Sequence, residues 1–140
     1  MSLGNYYNWT AAIASNDSST LTQNTLSNIS NNPQNSICPK GWRLPTISNQ
    51  SETLTGSTNE FARLAYLYDG VTNLLNAPLY YIYSGFVWRK ALQSFNSRGM
   101  YISSTSYYTV DIWVLEFGTT NSPNSGQNKN AGWSVRCTAK

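Results

Sequence analysis

The hydrophobic pattern of the chain changes character near Pro78. Before this proline, Ser57 and Glu60 have the spacing of a helix-capping box. Apolar residues then recur at i, i+3, i+4 and i+7, namely at Phe61, Leu64, Ala65 and Tyr68. This spacing predicts a helix from about Thr58 to Tyr68, and Pro78 limits any continuation of it.

Beyond Pro78 the pattern is typical of β-strands. Segments rich in aromatic and β-branched residues alternate with Gly, Asn and Ser, which predicts a small antiparallel sheet. The predicted strands are Leu79–Tyr83, Gly85–Ala91, Met100–Thr105, Tyr108–Phe117 and Gly132–Thr138. The stretch DIWVLEF is apolar on both faces, which predicts a central strand or a strand with a binding face. In the last segment, alternation predicts that Trp133, Val135 and Cys137 face the core.

The remaining segments are less regular. Gly4–Ala14 is apolar and aromatic, which predicts an opening strand that runs into a short turn or helix. Ser15–Ser36 is rich in Asn, Ser and Thr and is interpreted as a surface excursion, with a disordered linker as the alternative. Gly118–Ala131 is predicted to be a long polar loop, and loops of that length are often functional.

The amino-acid composition limits the partners and catalytic sites that the chain can have. The 140 residues indicate one domain, predicted over residues 4–140, with Met1–Leu3 interpreted as a remnant of cloning. Only 11% of the residues are charged, and the nine Lys and Arg residues are scattered, so nucleic acid is not an expected partner. The chain contains no histidine, which excludes a Ser/His/Asp triad, a Cys/His dyad and His-based zinc sites.

No apolar run approaches the roughly 18 residues of a transmembrane helix, so direct membrane insertion is not expected. No basic segment followed by an apolar one opens the chain. If the protein is exported, we expect its signal or anchor to be absent from this sequence.

Two cysteines, Cys38 and Cys137, stand 99 positions apart and neither belongs to a CxxC pair. They are either two buried free thiols or one long-range disulfide. We favour the disulfide, and with it an oxidising compartment outside the cytoplasm.

The string ICPKGWRLPT at 37–46, the strand YISST at 101–105 and the ending GWSVRC at 132–137 together resemble the Fibrobacter succinogenes major paralogous domain. The segments around Asn8–Trp9 and Ser84–Phe86 are also similar to that family, so the resemblance spans nearly the whole chain. It implies an α+β, C-type-lectin-like fold: one or two helices on a small twisted antiparallel sheet, long loops, and adjacent N- and C-terminal strands. It also implies an exported bacterial surface protein, and it agrees with the disulfide.

Departures from related proteins limit what is carried over. Calcium-dependent lectins have Glu-Pro-Asn or Gln-Pro-Asp in the long loop, whereas this chain has Ser122-Pro123-Asn124, and its six acids lack ligand spacing. Formylglycine-generating enzymes, which share the GWRLPT element, use a reactive cysteine pair, but both cysteines here match structural positions. No metal, cofactor or enzymatic activity is therefore expected.

We expect a ligand-binding or adhesive module whose ligand is a protein or a glycan. The chain also resembles the variable proteins of diversity-generating retroelements, in which the corresponding region presents the ligand-binding face, and tyrosine with amides suits such contacts. The predicted ligand-binding residues are Tyr107, Tyr108, Trp113, Asn121, Asn124, Asn128 and Asn130. The alternative is a spacer domain of a larger surface or fibre protein. Trp9, Trp42 and Trp133 are predicted to be core, and Arg43 and Arg136 to be donors to backbone carbonyls.

Overall fold

The described part of the chain consists mostly of short antiparallel strands with one short helix, an α+β arrangement. A computed structural model describes residues 5–14, 36–46, 60, 74–107, 110–118 and 121–139, with the backbone alone for 121–125. The elements in chain order are α1 (Trp9–Ala12), β1 (Trp42–Arg43), β2 (Phe86–Trp88), β3 (Ala91–Gln93), β4 (Gly99–Ser106), β5 (Asp111–Phe117), β6 (Asn121–Asn128) and β7 (Thr138–Ala139). The predicted helix at 58–68 and the excursion at 15–36 lie almost entirely outside the described residues.

Strand β5 is the central strand of a three-stranded antiparallel sheet with the order β4-β5-β6. Its sequence predicted this position, because side chains on both of its faces are apolar. Alternation sends Ile112 and Val114 into one buried cluster and Trp113, Leu115 and Phe117 into another. The sheet therefore separates two cores.

We name the two cores after their central residues. The Trp9 core contains Trp9, Ala12, Ile13, Leu44, Met100, Ile102, Ile112, Val114, Ala131 and Trp133. The Phe117 core contains Leu74, Tyr81, Tyr101, Trp113, Leu115 and Phe117. Helix α1 begins after Asn8, whose side chain accepts a hydrogen bond from the backbone N–H of Ala11 at 2.9 Å and so caps the helix.

The prediction of a loop over Gly118–Ala131 is wrong, because Asn121–Asn128 forms strand β6 along β5. The sequence NSPNSGQN has little intrinsic β-propensity, but its position at the edge of the described sheet explains the outcome. β5 supplies the backbone partners, and an edge strand tolerates Pro123 because one side of it makes no ladder bonds. Pairing thus overrides local propensity.

The two ends of the domain meet, as expected. Tyr7 forms an antiparallel bridge with Trp133, and β1 pairs with β7. The predicted disulfide between Cys38 and Cys137 is confirmed. The strand predicted at Gly132–Thr138 is discontinuous, however, because Gly132, Trp133 and Ser134 bridge to three separate segments, at Val87, Tyr7 and Tyr101.

Two further predictions need correction. Trp9 and Trp133 are fully buried as predicted, but Trp42 is 48% exposed; it lies on a two-residue strand that pairs with β7 near the end of the described chain. Leu79–Tyr83 forms no strand; Tyr81 alone in this segment is fully packed into a core, whereas Tyr80 is 68% exposed.

The two motif arginines differ in role. Arg43 donates to the carbonyl of Leu44 at 3.2 Å, as predicted, and also forms a double hydrogen bond with the Glu60 carboxylate at 2.6 Å. Burial raises the pKa of Glu60, but hydrogen bonds from Arg43 and Thr46 outweigh burial and hold this pKa below its usual value. Arg136 instead places its guanidinium 4.2 Å from the ring centre of Tyr81, a cation–π contact.

Candidate functional site

An aromatic groove of about 270 Å³ opens beside the Trp9 core. It is lined by Phe86, Trp88, Gln127, Asn128, Ala131 and Trp133. Phe86 and Trp88 lie two residues apart on β2, so their side chains project from the same face of the strand. Both rings are partly exposed, and of the described residues that line the groove none is charged.

The rings of the groove are held by the fold rather than by each other alone. Phe86 stacks on Trp133 with ring centres 5.1 Å apart and planes 16° from parallel. Trp133 is fully buried, and its indole N–H donates to the carbonyl of Asn128 at 3.1 Å. The groove floor is therefore fixed before any ligand arrives, which reduces the entropic cost of binding.

Backbone pairing fixes the position of β2 above this floor. The N–H and C=O of Val87 both bond to Gly132 at 2.8 Å. A Cβ atom on Gly132 would lie 3.2 Å from Val87 and from Tyr6, so glycine permits this close approach of two segments.

Two amides form the polar side of the groove at the end of β6. Gln127 donates from Nε2 to Glu116 at 3.5 Å, and the Asn128 Oδ1 accepts from the backbone N–H of Asn130 at 2.9 Å. Aromatic rings beside adaptable amides are the combination found in binding surfaces for polar ligands.

Lys129 anchors the turn that follows these amides. Its side chain is fully buried, with Nζ 4.7 Å from the ring centre of Trp9. Its backbone N–H donates to Val110 at 2.8 Å, and its carbonyl accepts from Trp9 at 3.1 Å. Burial lowers the pKa of Lys129, an effect that the charge of Asp111 opposes. This lysine is part of the scaffold rather than of the binding surface.

A second cavity of about 410 Å³, the disulfide-side cavity, lies near Cys137 and is bordered by the exposed residues Ile37, Tyr80 and Ile82. One of its polar groups is already engaged, because the Tyr101 hydroxyl accepts from the N–H of Ile82 and donates to its carbonyl. The disulfide-side cavity also has rings and one amide, Asn5, in its lining; the aromatic groove is smaller, but its two amides lie beside stacked rings. It is the better candidate for recognising a polar ligand.

Two of the three predicted aromatic binding residues, Tyr107 and Trp113, lie on the other side of the sheet. Trp113 is 5% exposed and belongs to the Phe117 core, where Tyr107 packs against it with ring centres 4.0 Å apart. Such burial leaves Trp113 little surface for a ligand. Tyr108 lies outside the described residues.

The predicted asparagines are distributed along β6 and the turn after it. Asn121 and Asn124 lie in the strand, where only the backbone is described. Asn128 lines the groove, and Asn130 is exposed beside it. Sequence reasoning missed Phe86 and Trp88, although their spacing of two within the predicted strand Gly85–Ala91 put both rings on one face.

The described carboxylates offer no paired acid and base. Glu116 forms an ion pair with Arg98 at 2.5 Å, and Glu60 forms one with Arg43. Among the residues that the structure describes, no group of three or more His, Cys, Asp or Glu side chains could hold a metal ion. No helix in the same residues is long and apolar enough to cross a membrane.

Comparison of the chain with protein-family models, with curated proteins and with solved structures gives no match. The geometry of the groove is therefore the basis for the functional argument.

Proposed function

We propose that this chain is a non-enzymatic, ligand-binding domain of an exported surface protein, and that its ligand binds in the aromatic groove. The observation that carries the proposal is the convergence of Phe86 and Trp88 with Gln127 and Asn128 in one cavity. Partly exposed rings on a buried, stacked floor provide contact area at low entropic cost.

We further propose a C-type-lectin-like fold related to the Fibrobacter succinogenes major paralogous domain. The disulfide between Cys38 and Cys137, the bridge between Tyr7 and Trp133 and the pairing of β1 with β7 support it. Each of these contacts closes the domain between its first and last segments. The disulfide also supports an oxidising, extracellular location.

A matched pair of tryptophan substitutions tests the binding site. Wild-type protein, Trp88→Ala and Trp42→Ala are each applied to a glycan array and to an array of extracellular proteins. Trp42 is the control because it is an exposed tryptophan that does not line the groove. We expect Trp88→Ala to weaken the detected interaction by at least about tenfold, the loss typical of an aromatic anchor, and Trp42→Ala to leave it unchanged.

Equal binding by all three proteins would place the ligand elsewhere. A wild-type protein that binds no member of either array would favour a spacer domain.

A further inference from the structure

Two cations lie at the tip of the hairpin that carries the groove's aromatic residues. Arg89 and Lys90 form the two-residue connection between β2 and β3, and both side chains are exposed. Neither forms an ion pair with a carboxylate of the described residues. We call this pair the hairpin tip.

The hairpin tip adjoins the aromatic groove directly. The guanidinium carbon of Arg89 lies 5.7 Å from the ring centre of Trp88, and Trp88 lines the groove. The groove residue Gln127 donates a hydrogen bond to the carboxylate of Glu116, and that carboxylate forms an ion pair with Arg98. The hairpin tip therefore brings positive charge to the side of the groove where Trp88 lies. Asp111, the register partner of the groove residue Asn128, acts on the charge of Lys129.

The backbone of the hairpin tip favours other residues than those present. Arg89 has φ of 49° and Lys90 has φ of 67°, so both adopt the left-handed conformation of a type I′ turn. Asn-Gly serves such a turn best, because both residues tolerate positive φ. Arginine and lysine are thus not the residues that this backbone conformation favours. Their positive charges, rather than their backbone preferences, therefore distinguish this turn.

The groove suits a ring-shaped ligand better than a peptide strand. β2 is paired with β3 on one side, and Val87 bonds to Gly132 on the other, so β2 offers no free edge to an added strand. The groove volume of about 270 Å³ is just below the range of ligand pockets, which is roughly 300 to 1,000 Å³. Recognition through rings and amides of a compact unit fits these limits.

We propose that the groove binds an acidic saccharide of the uronic-acid class. The apolar face of the sugar ring packs on Phe86 and Trp88, its hydroxyls bond to Gln127 and Asn128, and its carboxylate pairs with Arg89 and Lys90. Arginine binds a carboxylate through two parallel hydrogen bonds, which makes Arg89 the principal determinant of the acid preference. This inference rests on the proposed function and specifies its ligand.

The test compares short oligosaccharides of galacturonic, glucuronic and mannuronic acid with their methyl esters, which have the same rings without the charge. Binding is measured by calorimetry for wild-type protein, for Arg89→Asn with Lys90→Gly, for Arg89→Gln with Lys90→Gln, and for Trp88→Ala. The Asn-Gly variant removes both charges while favouring the turn, so its fold is not at risk. Melting temperature and a free-thiol count confirm folding of each variant.

We expect at least one acid to bind wild-type protein at least about tenfold more tightly than its ester. Both hairpin-tip variants should lose that preference and retain the ester affinity, whereas Trp88→Ala should weaken acid and ester alike. Equal binding of acid and ester, an unchanged preference in the hairpin-tip variants, or Trp88-dependent binding of a neutral glycan or an acidic peptide instead would overturn the inference and leave the proposed function standing. Absence of any ligand, here and on both arrays, would overturn both.

Discussion

Both faces of the central sheet carry aromatic residues, but these residues differ in how far their neighbours cover them. On the Phe117 face, Tyr81 meets the edges of Tyr101 and Phe117 at 4.8 Å and 5.9 Å, and Arg136 covers the Tyr81 ring. On the Trp9 face, Trp133 stacks on Phe86, whose ring remains partly exposed at the aromatic groove. The centre of the Phe117 face is thus closed, with Tyr83 and Tyr107 partly exposed at its margin, whereas the Trp9 face is open at the groove.

This difference shows that aromatic content does not identify a binding surface. What distinguishes the faces is whether the partly exposed rings line a groove together with polar side chains, as Phe86 and Trp88 do. On the Phe117 face, Tyr81, Tyr101 and Phe117 are 4%, 5% and 0% exposed, so these rings contribute to stability. On the Trp9 face, Phe86 and Trp88 keep surface for a partner.

The largest expected effect is a difference in the free energy of unfolding between matched substitutions on the two faces. We expect Phe117→Ala to lower the free energy of unfolding by about 4 kcal/mol, because it leaves a cavity in a fully buried site. Phe86→Ala, the matched change on the open face, should cost less than about 2 kcal/mol, since that ring is only partly buried. Urea denaturation measures both values. Equal losses would mean that the groove face is as tightly packed as the closed one.

Alkaline pH should affect the faces in opposite directions. Burial raises the pKa of Tyr81 to about 12, Arg136 lowers it slightly and Tyr101 raises it. The unfolded chain titrates this phenol near pH 10, so the associated stability is fully present below pH 10 and is lost as the pH rises toward 12. We expect Tyr81 to lower the free energy of unfolding by about 2 kcal/mol between pH 10 and pH 12. Urea denaturation at each pH measures this loss.

On the Trp9 face, burial lowers the pKa of Lys129, so its charged form destabilises the fold at neutral pH and that cost disappears as the pH approaches 10.5. Tyr81→Phe should therefore reduce the alkaline loss by about 2 kcal/mol and leave the part that comes from Tyr101, whose pKa burial also raises. Lys129→Met should remove the opposing gain. Tyr80→Phe, at an exposed position, is the control and should change neither. An unchanged alkaline loss in Tyr81→Phe would assign it to another group.

The smallest effect concerns the open face alone. Replacement of Arg89 and Lys90 by Asn and Gly should raise the free energy of unfolding by about 1 kcal/mol, because Asn and Gly tolerate the positive φ of these two positions better than Arg and Lys do. The melting temperature should then rise by roughly 4 °C. The Gln-Gln variant keeps the backbone strain and should melt with the wild type. Identical melting of all three would show that tertiary contacts, not backbone preference, fix the turn.

The elements that the sequence predicted well are those with strong local patterns. Two apolar faces marked β5 as a central strand, and the motif cysteines form the disulfide. Strand β6 was missed because its Asn, Ser, Pro and Gly residues have the composition of a loop. It forms as an edge strand through backbone hydrogen bonds to β5. The exposure of Trp42 was missed because a motif indicates which residues recur, not how deeply a two-residue strand is covered.

The groove could be predicted only in part. Asn128 came from the amide-rich segment, but the rings opposite it come from residues about 40 positions earlier. The bond pair between Val87 and Gly132 and the stacking of Phe86 on Trp133 bring the two segments together. Local periodicity carries no information on such a junction. The alternation within the strand did, however, indicate that Phe86 and Trp88 lie on one face of it.

The closing contacts between Tyr7 and Trp133, and between Trp9 and Lys129, also determine when the domain can fold. During translation the backbone N–H of Trp9 lacks its Lys129 acceptor until the ribosome has added about 120 further residues, which takes roughly ten seconds at typical rates of elongation. Contacts with nearer residues, such as the hydrogen bond from the Ile37 N–H to the Ala12 carbonyl, do not have to wait for it. A premature stop before Lys129 would release a polypeptide in which Trp9 lacks this acceptor, so the packing around Trp9 is completed late in synthesis.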